Sequence, residues 1–317
     1  MAHLLQKEFA KAVADIDAAI KLDAKQWEAY AVRGDAHSQL RKHDEAAADY
    51  TKLIELKPTA DAYLARGRSH LAREDGKAAF ADATKSLEMG GNKVKAHYIR
   101  GWGLQLQRKF DEAIAEYDKV EALDPKVDIY NLRGNARKDL GRFEEALKDF
   151  NRIIELEPES AIALNNRGHL LYELEKWDEA LADLRKSMTF KAHVMTQSMF
   201  RVWLIRVRRG EKEPADEELR QGMKEIRGTL DKDGAEATAA YLLGEKSEED
   251  LLKFAETAKE PRFQKGRRIQ AWFYIGWKRL LQGDAAKAEE FFRKCAEVES
   301  ASHEADSAKF QLKRMKS

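Results

Sequence analysis

Five Arg-Gly dipeptides, Arg33-Gly34, Arg66-Gly67, Arg100-Gly101, Arg133-Gly134 and Arg167-Gly168, recur at intervals of 33 or 34 residues. A fixed period of this size identifies a stacked repeat, in which each unit buries its apolar face only against its neighbours. Twelve residues after each glycine stands an alanine (Ala46, Ala79, Ala113, Ala146, Ala180), and three further on an acid (Asp49, Asp82, Glu116, Asp149, Asp183). Prolines close several units at Pro58, Pro125 and Pro158. Small residues where two helices touch, and a proline where the second one stops, predict a unit of helix, tight turn, helix, turn.

Tyr130, Gly134, Ala146, Phe150 and Pro158 occupy the aromatic, small-residue and closing-proline sites of one such unit. In this it resembles the tetratricopeptide repeat (TPR), and the resemblance extends over most of the chain. It implies an all-α, right-handed superhelical solenoid of antiparallel helix pairs. TPR arrays are, as a class, protein-interaction surfaces, so the resemblance implies binding rather than chemistry and leaves the partner unnamed.

Complete units are expected at about 27 to 59, 60 to 93, 94 to 126, 127 to 160 and 161 to 194. The stretch from Ala2 to Asp23 aligns with the second half of a unit, Phe9 matching Phe110 and Phe143, and Ala12 matching Ala146. With its first helix cut short at Met1, the chain reads as a fragment of a longer protein with an added start codon. After 194 the pattern weakens. Two helices are predicted (Met199 to Arg209, then Asp216 to Ile226), but Val202 replaces the glycine and the turn through Gly210 and Pro214 is longer. From Thr229 a shorter helix pair is expected, its second helix opening on Ser247-Glu-Glu-Asp250, a capping-box signal. A charged linker ending at Gly266 follows. Register returns with Trp272, Gly276, Ala288 and Phe292, giving one more repeat at 269 to 302, and the segment to Ser317 reads as a terminal capping helix. The expected division is therefore a regular array at 1–194, a degenerate repeat and atypical helix pair at 195–268, and a last repeat with its cap at 269–317.

The run Ala240-Tyr-Leu-Leu-Gly244, Ser247 to Leu251, Ala271 to Gly276 and Leu281-Gln-Gly-Asp284 resembles the closing region of bacterial TPR lipoproteins of the NlpI type. That resemblance implies an envelope adaptor that brings hydrolases to a protease and self-associates. A periplasmic location would follow from it, and a cytoplasmic one otherwise; no lipid-accepting N-terminal cysteine is present.

Charged residues make up 36% of the chain, yet the net charge is +1, which gives no reason to expect nucleic-acid binding. No apolar run approaches the roughly 20 residues that span a bilayer, so direct membrane insertion is not expected. A single cysteine, Cys295, excludes an internal disulfide and any cysteine-rich metal site; nineteen residues after Gly276 it stands where Leu53, Val120 and Ile153 follow their own glycines, so it reads as a packing residue.

Each unit places its arginine sixteen residues before its acid: Arg33 and Asp49, Arg66 and Asp82, Arg100 and Glu116, Arg133 and Asp149, Arg167 and Asp183. The two ends belong to facing helices. Either the arginines line a groove for acidic ligands, or each pair ties helix to helix. The last repeat arbitrates, because Ile275 and Phe291 stand there instead, and both charges vanish together. A concerted swap favours the structural pair, since a buried charge needs its partner.

The resemblance further implies that the first helices of successive units line the concave side. On their exposed positions fall Tyr98, Trp102 and Gln105, then Asn131, Asn135 and Lys138, then Asn165, His169 and Tyr172, with Asn166 joining them. Amides can pair with the backbone of an extended peptide, and aromatics add contact area at little entropic cost. Asn131 stands where the lysine of the chaperone-tail clamp in some TPR proteins would be, which points to backbone recognition.

Two basic clusters, Arg201, Arg206, Arg208 and Arg209, then Lys259, Arg262, Lys265, Arg267 and Arg268, read as neutralised surface, because acids at Glu211, Glu213, Asp216, Glu217 and Glu218 follow the first closely. Met195, Met199, Phe200 and Trp203 are apolar residues that suggest an interface or packing under the degenerate repeat. Catalysis finds no support: there is no His-Glu-x-x-His, no glycine-rich phosphate loop and no serine elbow. No cofactor or metal is expected.

The expected function is a non-catalytic scaffold or adaptor holding a protein or extended peptide in a groove at about 94 to 209, with the atypical C-terminal region as a second contact or as a self-association surface that would form a homodimer. The alternative is a regulatory or spacer array of a longer enzyme, its groove occupied in cis.

Overall fold

The computed structural model describes residues 2–126, 128–190, 192–226, 231–298 and 302–316, the side chains of 2–7, 192–195 and 262 excepted. Met1, on which the added start codon was read, lies outside these residues, as do Thr229 and Ser317. So do the side chains of Met195 and Arg262. Among the described residues there are eighteen α-helices and no strand. They fall into two compact units, Met1–Asp149 and Phe150–Ser317, and the boundary lies inside one repeat helix.

Unit 1 opens with α1 (Ala2–Leu22) and continues in helix pairs: α2 (Trp27–Gln39) with α3 (His43–Leu56), α4 (Ala60–Ala72) with α5 (Gly76–Glu88), and α6 (Lys93–Leu106) with α7 (Phe110–Leu123). Next comes α8 (Tyr130–Asp139), and the first half of α9 (Phe143–Leu156) completes the unit. Sequence spacing explains the packing. In α3 the buried residues Ala46, Tyr50 and Leu53 fall four and three apart, one stripe of a helix. Starts are marked by side-chain caps: Thr59, Asp75 and Asn92 each accept the backbone N–H three residues on.

One glycine shows why the period is obligatory. A Cβ on Gly101 would lie 2.7 Å from the Tyr117 ring, and that ring is fully buried against the bare backbone. Without a side chain at 101, the two helices of the pair approach closely enough for the aromatic to fill the seam.

The turn inside each pair has a feature that the motif did not reveal. The residue seven after the repeat glycine is left-handed in every regular unit: Arg41, Glu74 and Arg108 at φ 58°, 59° and 60°, Gly141 at 76°, and Glu175 at 59°. Tertiary packing imposes this conformation, since arginine and glutamate seldom adopt it on their own.

Unit 2 contains the rest of α9, then α10 (Ala161–Glu173) with α11 (Trp177–Phe190), α12 (Ala192–Arg208) with α13 (Lys212–Glu225), and α14 (Lys232–Leu242) with α15 (Glu248–Ala255). It closes with α16 (Pro261–Leu281), α17 (Ala285–Glu297) and α18 (His303–Arg314). The capping box at Ser247 and Asp250 is formed reciprocally.

One expectation needs correcting here, and one open choice is decided. The charged linker to Gly266 does not exist as a linker, because α16 begins at Pro261 and runs through Gly266. Proline at the first helical position gives up no hydrogen bond and presets φ, so the helix starts well before the repeat register returns. Met199, Phe200 and Trp203 form no exposed patch: they are 3%, 0% and 3% exposed, and the Trp203 indole donates to Asp216 at 2.8 Å. They are the core of the degenerate repeat.

Candidate functional site

The repeated Arg and acid side chains meet across each helix pair. Arg33 donates to Asp49 at 2.6 Å, Arg66 to Asp82 at 2.7 Å, Arg133 to Asp149 at 2.8 Å and Arg167 to Asp183 at 2.6 Å; Arg100 lies 3.3 Å from Glu116. The acids are all buried. Arg133 carries the largest network, with Asp118 at 2.7 Å and Glu121 at 2.5 Å besides Asp149, to which Arg137 also donates at 2.7 Å. Burial disfavours the Arg133 charge, but its bonds to Asp149 and Glu121 outweigh that and hold the guanidinium above its usual pKa. In the last repeat the same slots hold Ile275 and Phe291, both buried.

Unit 1 has an open cavity of about 590 Å³ whose walls come from α4 and α6: Leu71 and Ala72 on one side, Val94, Tyr98, Ile99 and Trp102 on the other. Tyr98 and Trp102 meet edge to face, centroids 6.2 Å apart and planes at 89°. Arg68, Asn92, Lys95 and Asp124 form the polar margin. Asn92 and Asp124 already accept backbone N–H groups, of Lys95 and Lys126. Arg68 and Lys95 are both exposed at the mouth. Size, apolar walls and a few convergent polar groups are the attributes of a ligand site.

Of the residues expected on the inner face, Tyr98 and Trp102 line this cavity, whereas Gln105, Asn131, Asn135 and Lys138 do not. Gln105 is drawn inward, its carbonyl accepting the Tyr117 hydroxyl at 2.8 Å. Asn131, Asn135 and Lys138 are half-buried on α8.

In unit 2 the expected exposure fails. Asn165, Asn166, His169 and Tyr172 are 2%, 7%, 4% and 2% exposed. The reason lies far along the chain. His303 of α18 stacks on His169, centroids 4.0 Å apart, and its Nε2 lies 3.3 Å from the Asn165 amide nitrogen. Trp277 of α16 meets Tyr172 edge to face at 6.3 Å, and Arg208 donates to the Tyr172 hydroxyl at 3.2 Å. The rule that first helices leave their inner side open assumes that nothing folds back, and here the chain does.

The basic clusters are largely paired. Arg206 bonds Glu211 and Glu218, Arg209 bonds Asp178, Arg267 bonds Asp231, and Arg268 pairs with Glu256. Arg201 differs, being fully buried. Cys295 is buried, its thiol pushed up in pKa by burial, and lies 3.6 Å from the Ile269 carbonyl. Among the described residues, no group of His, Cys, Asp and Glu side chains could hold a metal ion, and no helix is long and apolar enough to cross a membrane.

Sequence reasoning missed Arg68, Leu71 and Ala72 in the cavity wall. They stand one, four and five residues after Gly67, the same offsets that select Trp102 and Gln105 after Gly101, so the signal was present one unit earlier. The contribution of α18 had no such signal.

A chain of repeated helix pairs with tied seams and small-residue contacts is a helical-repeat protein. The sequence model of the tetratricopeptide repeat matches residues 1–61, 32–92 and 131–188, and the chain is a tetratricopeptide repeat protein. Human tetratricopeptide repeat protein 13 is 32% identical over 130 residues, which are 41% of this chain and 14% of that protein. The Arabidopsis thaliana E3 ubiquitin-protein ligase CHIP is 34% identical over 77 residues, 24% of this chain and 28% of that protein. The matches thus span under a third of these relatives' own length. Among solved structures, the apo form of RapI aligns with a TM-score of 0.67 at 12% identity, over 99% of this chain and 98% of that one. A tetratricopeptide repeat protein from Parabacteroides merdae aligns with a TM-score of 0.54 at 19% identity, over 81% and 99%. At these identities the likeness shows the fold alone.

Proposed function

We propose that this protein is a non-catalytic adaptor that holds an extended peptide or protein segment on the inner face of unit 1, with one apolar side chain seated between Leu71, Tyr98 and Trp102. TPR proteins generally mediate protein–protein interactions, and the cavity is the observation that carries the reading here. An anchor filling it would bury aromatic area at both walls, and the Arg68 and Lys95 cations at its mouth favour acidic neighbours on the ligand. The half-buried amides of Asn131 and Asn135 supply donors and acceptors for ligand backbone. An envelope adaptor of the NlpI type is the finer form of this reading.

The test is capture of partners from source lysate by the wild-type chain and by Trp102→Ala, with circular dichroism showing both to be folded at the assay temperature. Loss of a specific partner in the variant supports the reading; an identical captured set in both sinks it. The reading of a spacer array whose groove is filled in cis draws support from one observation, the covering of α10 by α18.

A further inference from the structure

The inner face of unit 2 has an occupant in place, and its chemistry is unusual for a terminal cap. A cap needs only an apolar stripe. Yet the fully buried apolar residues of α18 are alanines, Ala305 and Ala308, which supply little area for hydrophobic anchoring. Phe310 and Leu312 are half-buried, and the contacts printed between α18 and the helices it covers are polar. His303 stacks on His169 with the ring planes 9° from parallel. The Ser307 hydroxyl accepts from Arg201 at 3.1 Å and donates to Glu173. Arg314 donates to the Glu175 carboxylate at 2.9 Å and to the Glu173 carbonyl at 3.2 Å. The amide of Asn165, which meets His303, also accepts from Ser198 at 2.8 Å, and Ser198 lies 2.8 Å from Ser187, so a polar chain runs from the core to α18.

Arg201 is the central group. It is 0% exposed, with the Tyr172 and Phe273 rings 4.4 and 4.9 Å from its guanidinium carbon. Its Nη2 is satisfied by Ser307 and the buried Glu304 of α18 acts on its charge through space, but Nε and Nη1 have no hydrogen-bond partner among the described residues. Buried donors left unmade are costly, so the docked α18 is an imperfect occupant of the face it covers.

We propose that this face is a helix-binding site for a partner protein, and that α18 holds it in cis until the partner helix exchanges with it. The resident helix defines the chemistry the site accepts: an imidazole or aromatic ring over His169, a hydroxyl four residues later between Arg201 and Glu173, small residues beside it, and a cation seven residues further on for Glu173 and Glu175. A partner helix carrying one more acceptor beside the hydroxyl engages the donors of Arg201 that α18 leaves unused, which is the source of its advantage. Docking of α18 and of the partner exclude one another, so apparent affinity scales with the fraction of chains in which α18 is released. The proposal concerns unit 2 alone and stands or falls independently of the unit 1 cavity.

The first experiment is native-state hydrogen exchange on the full wild-type chain. The expected result is that α18 amides exchange through an opening that leaves α11 and α17 protected; exchange of α18 only with global unfolding overturns the proposal. The second uses a labelled peptide of residues 302–316 as the probe, read by anisotropy. A full chain carrying His303→Ala and Arg314→Ala, which loosens α18, is expected to bind the peptide at least about tenfold tighter than wild type, since the exclusion is relieved by the fraction released. A further His169→Ala is expected to remove that gain. Equal binding to wild type and the loosened chain, or a gain that survives His169→Ala, overturns the proposal. If circular dichroism shows the loosened chain unfolded, the exchange result on the wild type decides by itself.

Discussion

Unit 1 and unit 2 are built from the same helix pair but treat its inner side in opposite ways. In unit 1, Tyr98 and Trp102 are half-buried beside an open cavity. In unit 2, the corresponding residues of α10 are closed over by α12, α16 and α18, and Tyr172 is 2% exposed. The seams differ as well: unit 1 ties its pairs with buried charge, while the last pair of unit 2 uses Ile275 and Phe291 in the same slots. A repeat thus fixes how two helices meet, and leaves open both what fills the seam and what covers the face.

The largest effects test the seams. Asp149→Ala strands Arg133 and Arg137 in a buried site and is expected to cost about 3–5 kcal/mol in chemical denaturation, whereas Arg133→Met and Arg137→Met together with Asp149→Leu are expected to be much milder. Phe291→Ala, in the apolar version of that slot, is expected to cost about 3–5 kcal/mol as well. An Asp149→Ala chain with unchanged stability would show the charged seam to be ornamental.

Next come the aromatics that distinguish the open face from the closed one. Trp277→Ala, at a residue 3% exposed in unit 2, is expected to cost about 3–5 kcal/mol, and Trp102→Ala in unit 1 distinctly less, because its ring already faces solvent on one side. Equal losses in thermal melts would break the comparison. Gly101→Ala drives a methyl into the Tyr117 ring and should cost about 1–3 kcal/mol.

Acid should act on the two units with opposite sign. Burial raises the Glu304 carboxyl, only partly offset by Arg201, so its stabilising share is complete below the ordinary carboxylate range and is lost as pH rises through its raised folded value. Glu116 is buried too, but hydrogen bonds from His97 and Lys119 and the Arg100 charge prevail and lower it; its share is present above the ordinary range and lost as pH falls through its lowered value. Hydrogen exchange on acidification should therefore show α18 tightening first, and the seam between α6 and α7 loosening only at lower pH. Loosening of both together contradicts the assignment.

The smallest effect is a gain. Glu74→Gly relieves a left-handed turn residue and is expected to stabilise by about 1 kcal/mol, less the backbone entropy that glycine adds to the unfolded chain. A loss of stability would mean that the Glu74 side chain has a role not visible in the turn.

Much of the fold was legible because the repeat states each local rule several times. The glycine at 101, the alanine at 113 and the aromatic at 117 are spaced by the geometry of one helix pair, and that geometry is local. The candidate site was legible only in part. Tyr98 and Trp102 were readable from their offsets to Gly101, and Arg68 and Leu71 would have been by the same offsets from Gly67. Asn165, Asn166, His169 and Tyr172 were misread as exposed, because exposure depends on what lies opposite and not on position in the repeat. The helical start at Pro261 was missed because a charged composition was taken for a linker, although charge is also what a solvated helix face carries.

The sequence by itself determined the period, the pairing of helices and the close contacts within each pair, since these involve residues a few turns apart whose spacing a helix converts directly into position. Tertiary structure alone decided that α18 covers α10, bringing His303 onto His169 and Ser307 onto Arg201 across more than a hundred residues of chain. No periodicity encodes such a contact, because it depends on how the path of the whole unit returns on itself.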